Sequence, residues 1–210
     1  MSLPTDQMLP ADDVFDAALA WRDAGKPVAL ATVVSTWGSS PRPPGSHLGV
    51  SADGEMTGSV SGGCIEGAVV KEALDILKGA PAQVLDFGVT DQQAWDVGLA
   101  CGGAVKVLVR DFVPLIPLYT QARAGLASGQ SSALVTRLDS GETVPFDAAD
   151  LPAPVAEAAR AALQHDRSRA FSGDDGDWFI EVVAPPRRLI VVGAVHIAQA
   201  LVPMAAMAGF

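Results

Sequence analysis

The sequence predicts a mixed α/β protein, in which an α+β N-terminal domain precedes the first strand and helix of a Rossmann-like domain. Three observations support this fold class. The run "PVALATVVST" at 27–36 is rich in β-branched residues, as a buried strand is. Residues 11–25 carry apolar side chains at helical spacing. The stretch "RRLIVVGAVHIAQALVPMAAMAGF" at 187–210 changes from strand-like to helix-like across a glycine, which is typical of a nucleotide-binding βα unit.

Helix caps, glycines and prolines predict where the helices and strands of the first half begin and end. Asp12 or Asp13 caps the first helix and Gly25 ends it. Three prolines and four glycines at 37–54 exclude a helix there and favour a long loop, with a short strand around 47–50 before a hairpin turn at "ADG". The next elements are a helix at 63–78 that Gly79 ends, a strand at 82–89, a turn of helix at 91–97, and a strand at 104–112 with one face more exposed.

The second half is predicted to contain helices and hairpins. Pro114 and Pro117 open a helix that ends near 128–129. The runs "SALVTRL", "RAFSG" and "WFIEVVA" are strand-like and are joined by the turns "DSGE" and "DDGD", with a helix at 154–165 between them. Pro185-Pro186 makes a stiff break. The predicted regions are a cysteine-bearing domain at 1–113, a connecting α+β region at 114–184, and an incomplete Rossmann-like domain at 187–210.

Composition and charge argue against several classes of function. Hydrophobic residues make up 49% of the 210 residues, which allows a buried core and argues against global disorder. The formal net charge of -10 argues against a nucleic-acid partner held through its phosphates. No apolar run reaches the roughly 18 residues of a membrane helix, and the N-terminus lacks the pattern of a signal peptide. We therefore expect a cytoplasmic protein with no nucleic-acid or membrane partner.

Each of the two cysteines lies beside paired glycines, Cys64 in "SGGCIEG" and Cys101 in "LACGG". If a helix begins at 62–64, its free N–H groups favour an anion such as phosphate and lower the pKa of a thiol in the first turn. The alternative is a helix start whose glycines only make a tight turn. The repeated pattern favours convergence of both cysteines on one pocket. The chain has no CxxC motif and three histidines, so a zinc site is not favoured.

Three further side chains near the first cysteine are candidates for chemistry. Arg42 lies in the proline-stiffened loop and suits an anion, and His47 at the end of that loop is a candidate acid or base. The alternative is a surface loop with a stacked Trp37. Glu66 is either a base or a carboxylate that stabilises the helix start.

The C-terminal stretch carries a weaker nucleotide-binding pattern. Gly193 and His196 lie at the expected turn, but Val195 replaces the second glycine of G-x-G-x-x-G, which weakens a close approach to pyrophosphate. The chain ends before the acidic residue expected about 20 positions further on. We expect either a fragment of a longer chain or completion of this unit by a partner.

Taken together, "TWGSSPRPPGSHLGV", "GSVSGGCIEGAV", "GLACGGAVKVLV" and "VVGAVHIAQAL" resemble the xanthine dehydrogenase accessory family, XdhC/CoxI. The similarity is strongest over 12–112 and resumes at 187–210. The resemblance implies a maturation factor that binds molybdenum cofactor (molybdopterin) transiently, assists its sulfuration, and inserts it into a molybdenum hydroxylase apoenzyme such as xanthine dehydrogenase. It also implies a cysteine desulfurase as a partner.

The motifs and the resemblance together define the expected site. We expect Cys64 and Cys101 to contact the metal end of the cofactor or to carry sulfur, because soft thiolates suit such a metal. A homodimer is also expected, since the apolar face of 188–210 needs cover. The expected cofactor-binding residues are Arg42, His47, Ser61, Gly62, Gly63, Cys64, Glu66, Cys101, Gly102, Gly103, Gly193 and His196.

Two other function classes stay open at the level of sequence. One is a Rossmann-type oxidoreductase that uses NAD(P) and a redox-active cysteine pair, and retention on a nucleotide resin would favour it. The other is a docking module whose cysteines are core residues, which buried and unreactive thiols would favour. A non-enzymatic accessory factor is the preferred interpretation.

Overall fold

A computed structural model describes residues 14–88, 103–185, 188–193, 195–208 and 210 of this protein. The described residues form two antiparallel sheets with α-helices packed against them, which confirms the mixed α/β class. The predicted turn of helix at 91–97, together with Cys101 and Gly102, lies outside the described residues.

The first sheet has five strands in the order β3-β2-β1-β5-β4. Its central strand β1 is the predicted apolar run, and the predicted hairpin at "ADG" joins β2 to β3. The strands are β1 (Val28–Trp37), β2 (His47–Ser51), β3 (Met56–Gly58), β4 (Gln83–Phe87) and β5 (Ala104–Asp111).

Strand β5 is more buried than its alternating sequence predicts. It is a central strand that pairs with β1 and β4. Val107 and Val109 pack in the core on one face of the sheet, and Leu108 packs against Phe179 on the other, so both faces of the strand are covered. Residues 107–110 are buried, and only Lys106 and Asp111 are exposed. The polar residue Arg110 is therefore inside the protein, 3% exposed, instead of on a solvated face.

Helix α2 (Glu66–Ile76) covers one face of the first sheet. Because successive strand residues point to opposite faces, Ala29, Ala31 and Val33 of β1 pack on this side with Val69 and Ala73 of the helix. Leu30 points to the other face, where α1 (Val14–Asp23) and α3 (Ile116–Ala124) pack. The predicted helices at 11–25 and after Pro114 are thus confirmed over their described residues.

The second sheet has the order β7-β6-β9-β8 and packs its inner face on the first. Phe179 of this sheet contacts Val34 and Leu108 of the first sheet. Helix α4 covers its outer face through Val155 and Ala159. The elements are β6 (Ser132–Arg137), β7 (Thr143–Pro145), α4 (Ala153–Gln164), β8 (Arg169–Gly173) and β9 (Gly176–Val183). All of them except the short strand β7 are predicted from the runs and turns of this region.

One hydrophobic core spans the predicted boundary at residue 113. Val28 and Leu30 from the first sheet share it with Leu115 and Tyr119 beyond the boundary and with Leu134 of β6. The division into 1–113 and 114–184 stays a prediction from sequence, and the two regions pack as one body around this core.

The strand predicted after the double proline is absent from residues 188–193, whereas the predicted helix is present as α5 (His196–Met207). A strand requires neighbouring backbone groups to pair with, and 188–193 pair with none of the described strands. Large apolar side chains here are exposed, namely Leu189, Ile190, Val192, Val195, Ile197, Leu201, Val202, Met204, Met207 and Phe210.

Candidate functional site

The glycine-rich loop at 58–65 precedes helix α2, which begins at Glu66 and not at 62–64 as the sequence predicts. Gly62 and Gly63 have φ angles of +80° and +117°, which are outside the helical range, so the helix cannot include them. Cys64 is consequently a loop residue that lies before the helix N-cap, Ile65.

The Glu66 carboxylate accepts the hydrogen bonds of this loop. Its Oε1 accepts from the backbone N–H groups of Ser61 at 2.9 Å, Gly62 at 3.1 Å and Val60 at 3.3 Å. Its Oε2 accepts from the N–H of Gly63 at 2.9 Å. The hydroxyls of Ser59 and Ser61 also donate to it, at 2.9 and 2.5 Å. The loop amides predicted to hold a ligand anion are therefore bound to a carboxylate of the protein itself.

These contacts control the ionisation of Glu66. Burial raises its pKa, but the hydrogen bonds from Ser61 and Ser59 outweigh that effect and lower the pKa to about 2 from an ordinary value of 4.5. The donors stabilise the charged form because each of them points a partial positive charge at the carboxylate.

We predict that the loop contributes stability that is lost in acid. A carboxyl group whose pKa is lowered by folding stabilises the protein above its unfolded pKa, and this stabilisation disappears as the pH falls from about 4.5 towards 2. The free energy of unfolding, measured by urea titration, should be lower for Glu66→Gln than for wild type at pH 7, and this difference should shrink at pH 3. Glu72→Gln on the same helix is the control, and a Glu66→Gln difference that stays constant with pH would contradict the assignment.

Cys64 is exposed and unpaired at the tip of this loop. Its backbone N–H donates to the Ser61 hydroxyl at 3.1 Å, which fixes the backbone while the side chain faces solvent. A built Cβ at the neighbouring Gly63 would meet no atom within 4 Å, so the space around this tip is open.

The proline-stiffened loop at 38–46 lies against both glycine motifs. A Cβ built on Gly62 would lie 3.8 Å from the Pro41 side chain, and one built on Gly103 would lie 2.3 Å from the Ser39 carbonyl oxygen. Arg42 donates from Nε to the Ser59 carbonyl at 3.2 Å. The structure thus brings Arg42, the Cys64 loop and Gly103 together, and Gly103 follows Cys101 by two residues in the sequence.

His47 does not face this site as a free acid or base. Its side chain is 10% exposed, and both ring nitrogens are engaged. Nδ1 lies 3.1 Å from the Thr32 hydroxyl and Nε2 lies 2.8 Å from Oε1 of Glu181 on the second sheet. The imidazole connects the two sheets, because β2 brings it to the face on which β9 packs.

Sequence reasoning missed the buried polar cluster to which His47 belongs. The Tyr119 hydroxyl donates to Oε2 of Glu181 at 2.5 Å. Burial raises the pKa of the Glu181 carboxyl, but the charge of His47 and the hydrogen bonds from His47 and Tyr119 outweigh it, so the pKa is lowered overall. The signal in the sequence was Glu181 itself, a lone charge inside the apolar strand "WFIEVV".

Gly193 and His196 are not joined to the Cys64 loop by any hydrogen bond or ion pair that the described residues make. Gly193 has a φ of +85°, and its carbonyl accepts the N–H of Val195 at 2.8 Å, so it forms the tight turn that the sequence predicts. His196 is exposed at the start of α5.

The described residues contain neither a metal-binding cluster of side chains nor a membrane-spanning helix. Among them, no group of three or more His, Cys, Asp or Glu side chains is arranged to hold a metal ion. None of the helices described for this chain has the length and apolar character needed to cross a membrane.

The geometry defines an α/β protein with an exposed thiol on a glycine-rich loop. A sequence model of the XdhC and CoxI family matches residues 21–88, the segment that carries the Arg42 and Cys64 loops, and this segment belongs to that family. The resemblance stated from the motifs is confirmed.

Two proteins of Escherichia coli K12 are similar to this chain. The molybdenum cofactor insertion chaperone PaoD is 33% identical over 96 residues, which cover 45% of this chain and 30% of PaoD. The protein YqeB is 31% identical over 125 residues, which cover 59% of this chain and 23% of YqeB. The matched part of the chain thus spans less than a third of the length of either relative.

A solved structure shares the fold. A crystal structure of a xanthine dehydrogenase from Bacillus halodurans superimposes with a TM-score of 0.66 at 22% identity, covering 94% of this chain and 60% of that one. At this identity the likeness establishes the fold alone.

Proposed function

We propose that this protein binds molybdenum cofactor as cargo and assists its insertion into a molybdenum hydroxylase, with the cofactor held where the Cys64 loop meets the proline-stiffened loop. The observation that carries the proposal is the convergence of Arg42, the Cys64 loop and Gly103, which come from three separate motifs. The similarity to PaoD and to the XdhC and CoxI family supports the same cargo.

The exposed groups at this junction suit the chemistry of the cargo. Molybdenum cofactor carries a phosphate, a planar pterin and a soft metal held by sulfur. The Cys64 thiol is a soft ligand for the metal end or a carrier for sulfur. The Arg42 guanidinium is exposed and makes its one hydrogen bond to a described residue through Nε, so its terminal nitrogens can pair with an anion. Trp37, 70% exposed, offers a flat apolar face beside the same loop.

We propose that the cofactor is sulfurated while bound, with sulfur supplied by a cysteine desulfurase. Insertion then requires contact with the hydroxylase apoenzyme, for which xanthine dehydrogenase is the model suggested by the family. The exposed apolar side chains of α5 suit a protein contact, including a second copy of this chain.

The proposal predicts that cofactor binding depends on the cysteines. Wild type, Cys64→Ala, Cys101→Ala and the double variant are mixed anaerobically with freshly released molybdenum cofactor, and bound molybdenum and pterin are measured after gel filtration. We expect stoichiometric binding by wild type and at least a tenfold weaker affinity in the double variant, which corresponds to about 1.4 kcal/mol. The exposure of Cys64 makes its replacement structurally mild.

The same experiment separates the competing functions. Unchanged binding in the double variant would place the cargo elsewhere and contradict the assigned site. Absence of binding in wild type, combined with retention on a nucleotide resin, would favour the NAD(P) oxidoreductase. Absence of both, with capture of the hydroxylase apoenzyme alone, would favour the docking module. Ser128→Ala, on a distant surface turn, is the control variant.

A further inference from the structure

The Cys64 loop has the backbone geometry of an anion-binding nest, and Glu66 occupies it. Consecutive N–H groups from Val60 to Gly63 point at one carboxylate, with distances of 2.9–3.3 Å. Such runs of backbone donors normally cradle phosphate or a similar anion. Here the anion is supplied from within the chain, three residues after the last of these donors.

The occupied nest excludes a second anion for two reasons. Its donors are already paired, so an incoming phosphate would gain a hydrogen bond only by displacing one. It would also approach the negative charge of Glu66 at close range, and like charges repel strongly where burial lowers the local dielectric. Arg42 is an exposed cation of this junction, and its Nε donates to the Ser59 carbonyl on the same loop.

We infer that Glu66 determines which end of the cargo meets the loop: its carboxylate closes the nest to phosphate, so that Cys64 contacts the metal and sulfur end while Arg42 takes the phosphate. This inference rests on the proposed function for its biological meaning. Glu66 is thus a positioning residue, which acts through the loop it orders and does not itself bind the cargo, whereas the sequence analysis includes it among the expected cofactor-binding residues.

The inference predicts that removal of the carboxylate opens the nest to free anions. The rate of Cys64 alkylation by iodoacetamide is measured by mass spectrometry of the Cys64 peptide, with and without excess inorganic phosphate. In wild type we expect phosphate to leave the rate unchanged. In Glu66→Ala we expect phosphate to slow alkylation several-fold, because it fills the vacated nest beside the thiol. Acetate, which resembles the missing carboxylate, should restore much of the lost thermal stability of this variant.

Two further variants keep the test decisive. Glu72→Ala, on the same helix but outside the loop, should behave like wild type in every measurement. Glu66→Gln retains an acceptor oxygen and is used if Glu66→Ala does not fold, with a smaller phosphate effect of the same sign. Phosphate protection of Cys64 in wild type, or no phosphate effect in a folded Glu66 variant, would overturn the inference.

The outcome is independent of the cofactor experiment. Alkylation and phosphate protection need no molybdenum, so they report on the nest even if wild type fails to bind the cofactor. In that case the proposed function would be refuted, whereas the inference that Glu66 closes the nest to anions would still be supported. Conversely, cofactor binding at Cys64 together with phosphate protection in wild type would support the proposed function. It would also contradict the inference that Glu66 closes the nest to anions.

Discussion

Replacement of Glu181 by alanine is expected to lower the free energy of unfolding by at least about 2 kcal/mol, because each buried polar group left without its hydrogen-bond partner costs about 1–3 kcal/mol. The Glu181 side chain is 6% exposed and joins His47 of the first sheet to Tyr119 of α3. Without it, a buried imidazole and a buried phenol lose their shared acceptor. Arg110 also loses a buried negative charge that interacts with it.

Urea unfolding of Glu181→Ala and of the control Glu157→Ala checks this expectation. Glu157 is exposed on α4, and its replacement should change the free energy of unfolding by less than about 0.5 kcal/mol. Because the pKa of Glu181 is lowered in the folded protein, its contribution is present above the unfolded pKa and is lost as the pH falls below it. The difference between wild type and Glu181→Gln should therefore decrease in acid. A Glu181→Ala variant as stable as the control would refute the cluster's role.

Replacement of Gly103 by alanine is expected to destabilise the protein by about 1–3 kcal/mol, the usual cost of overpacking. The new Cβ would lie 2.3 Å from the Ser39 carbonyl oxygen and 2.9 Å from that of Trp37, and both are backbone atoms. The loop at 38–46 must therefore move away from β5. Because this loop also contacts Gly62, we expect cofactor binding to weaken as well.

Gly67→Ala is a matched control for this substitution. Gly67 lies on α2, and a Cβ added there meets no atom within 4 Å. Alanine in a helix is favoured over glycine, so this variant should be unchanged or more stable by up to about 1 kcal/mol. Thermal unfolding and molybdenum binding of the two variants are compared. Equal behaviour of Gly103→Ala and Gly67→Ala would mean that the loop does not depend on close approach at Gly103.

The sequence allowed the regular elements to be predicted, because their signals are local. The β-branched run of β1 and the turn at "ADG" needed no distant partner to be recognised. The prediction of a strand within 188–193 is wrong because a strand also depends on a distant neighbour, and none of the described strands pairs with this segment.

The candidate site was predicted in part. Its motifs were visible, but the use of the loop amides by Glu66 depends on positive φ angles at Gly62 and Gly63, which delay the helix. The engagement of His47 was invisible because its partner Glu181 is 134 residues further along the chain. No local pattern specifies such a contact, which arises only when the two sheets pack.

The core shared by Leu30, Tyr119 and Leu134 has a consequence for how the protein unfolds. Loss of structure in either sheet exposes apolar surface of the other to water, so we expect the two sheets to unfold together. The two sheets therefore form one cooperative unit. Loss of the segment after residue 113 would remove Tyr119 and Leu134 from the core beneath Leu30 and leave that face of the first sheet open to water.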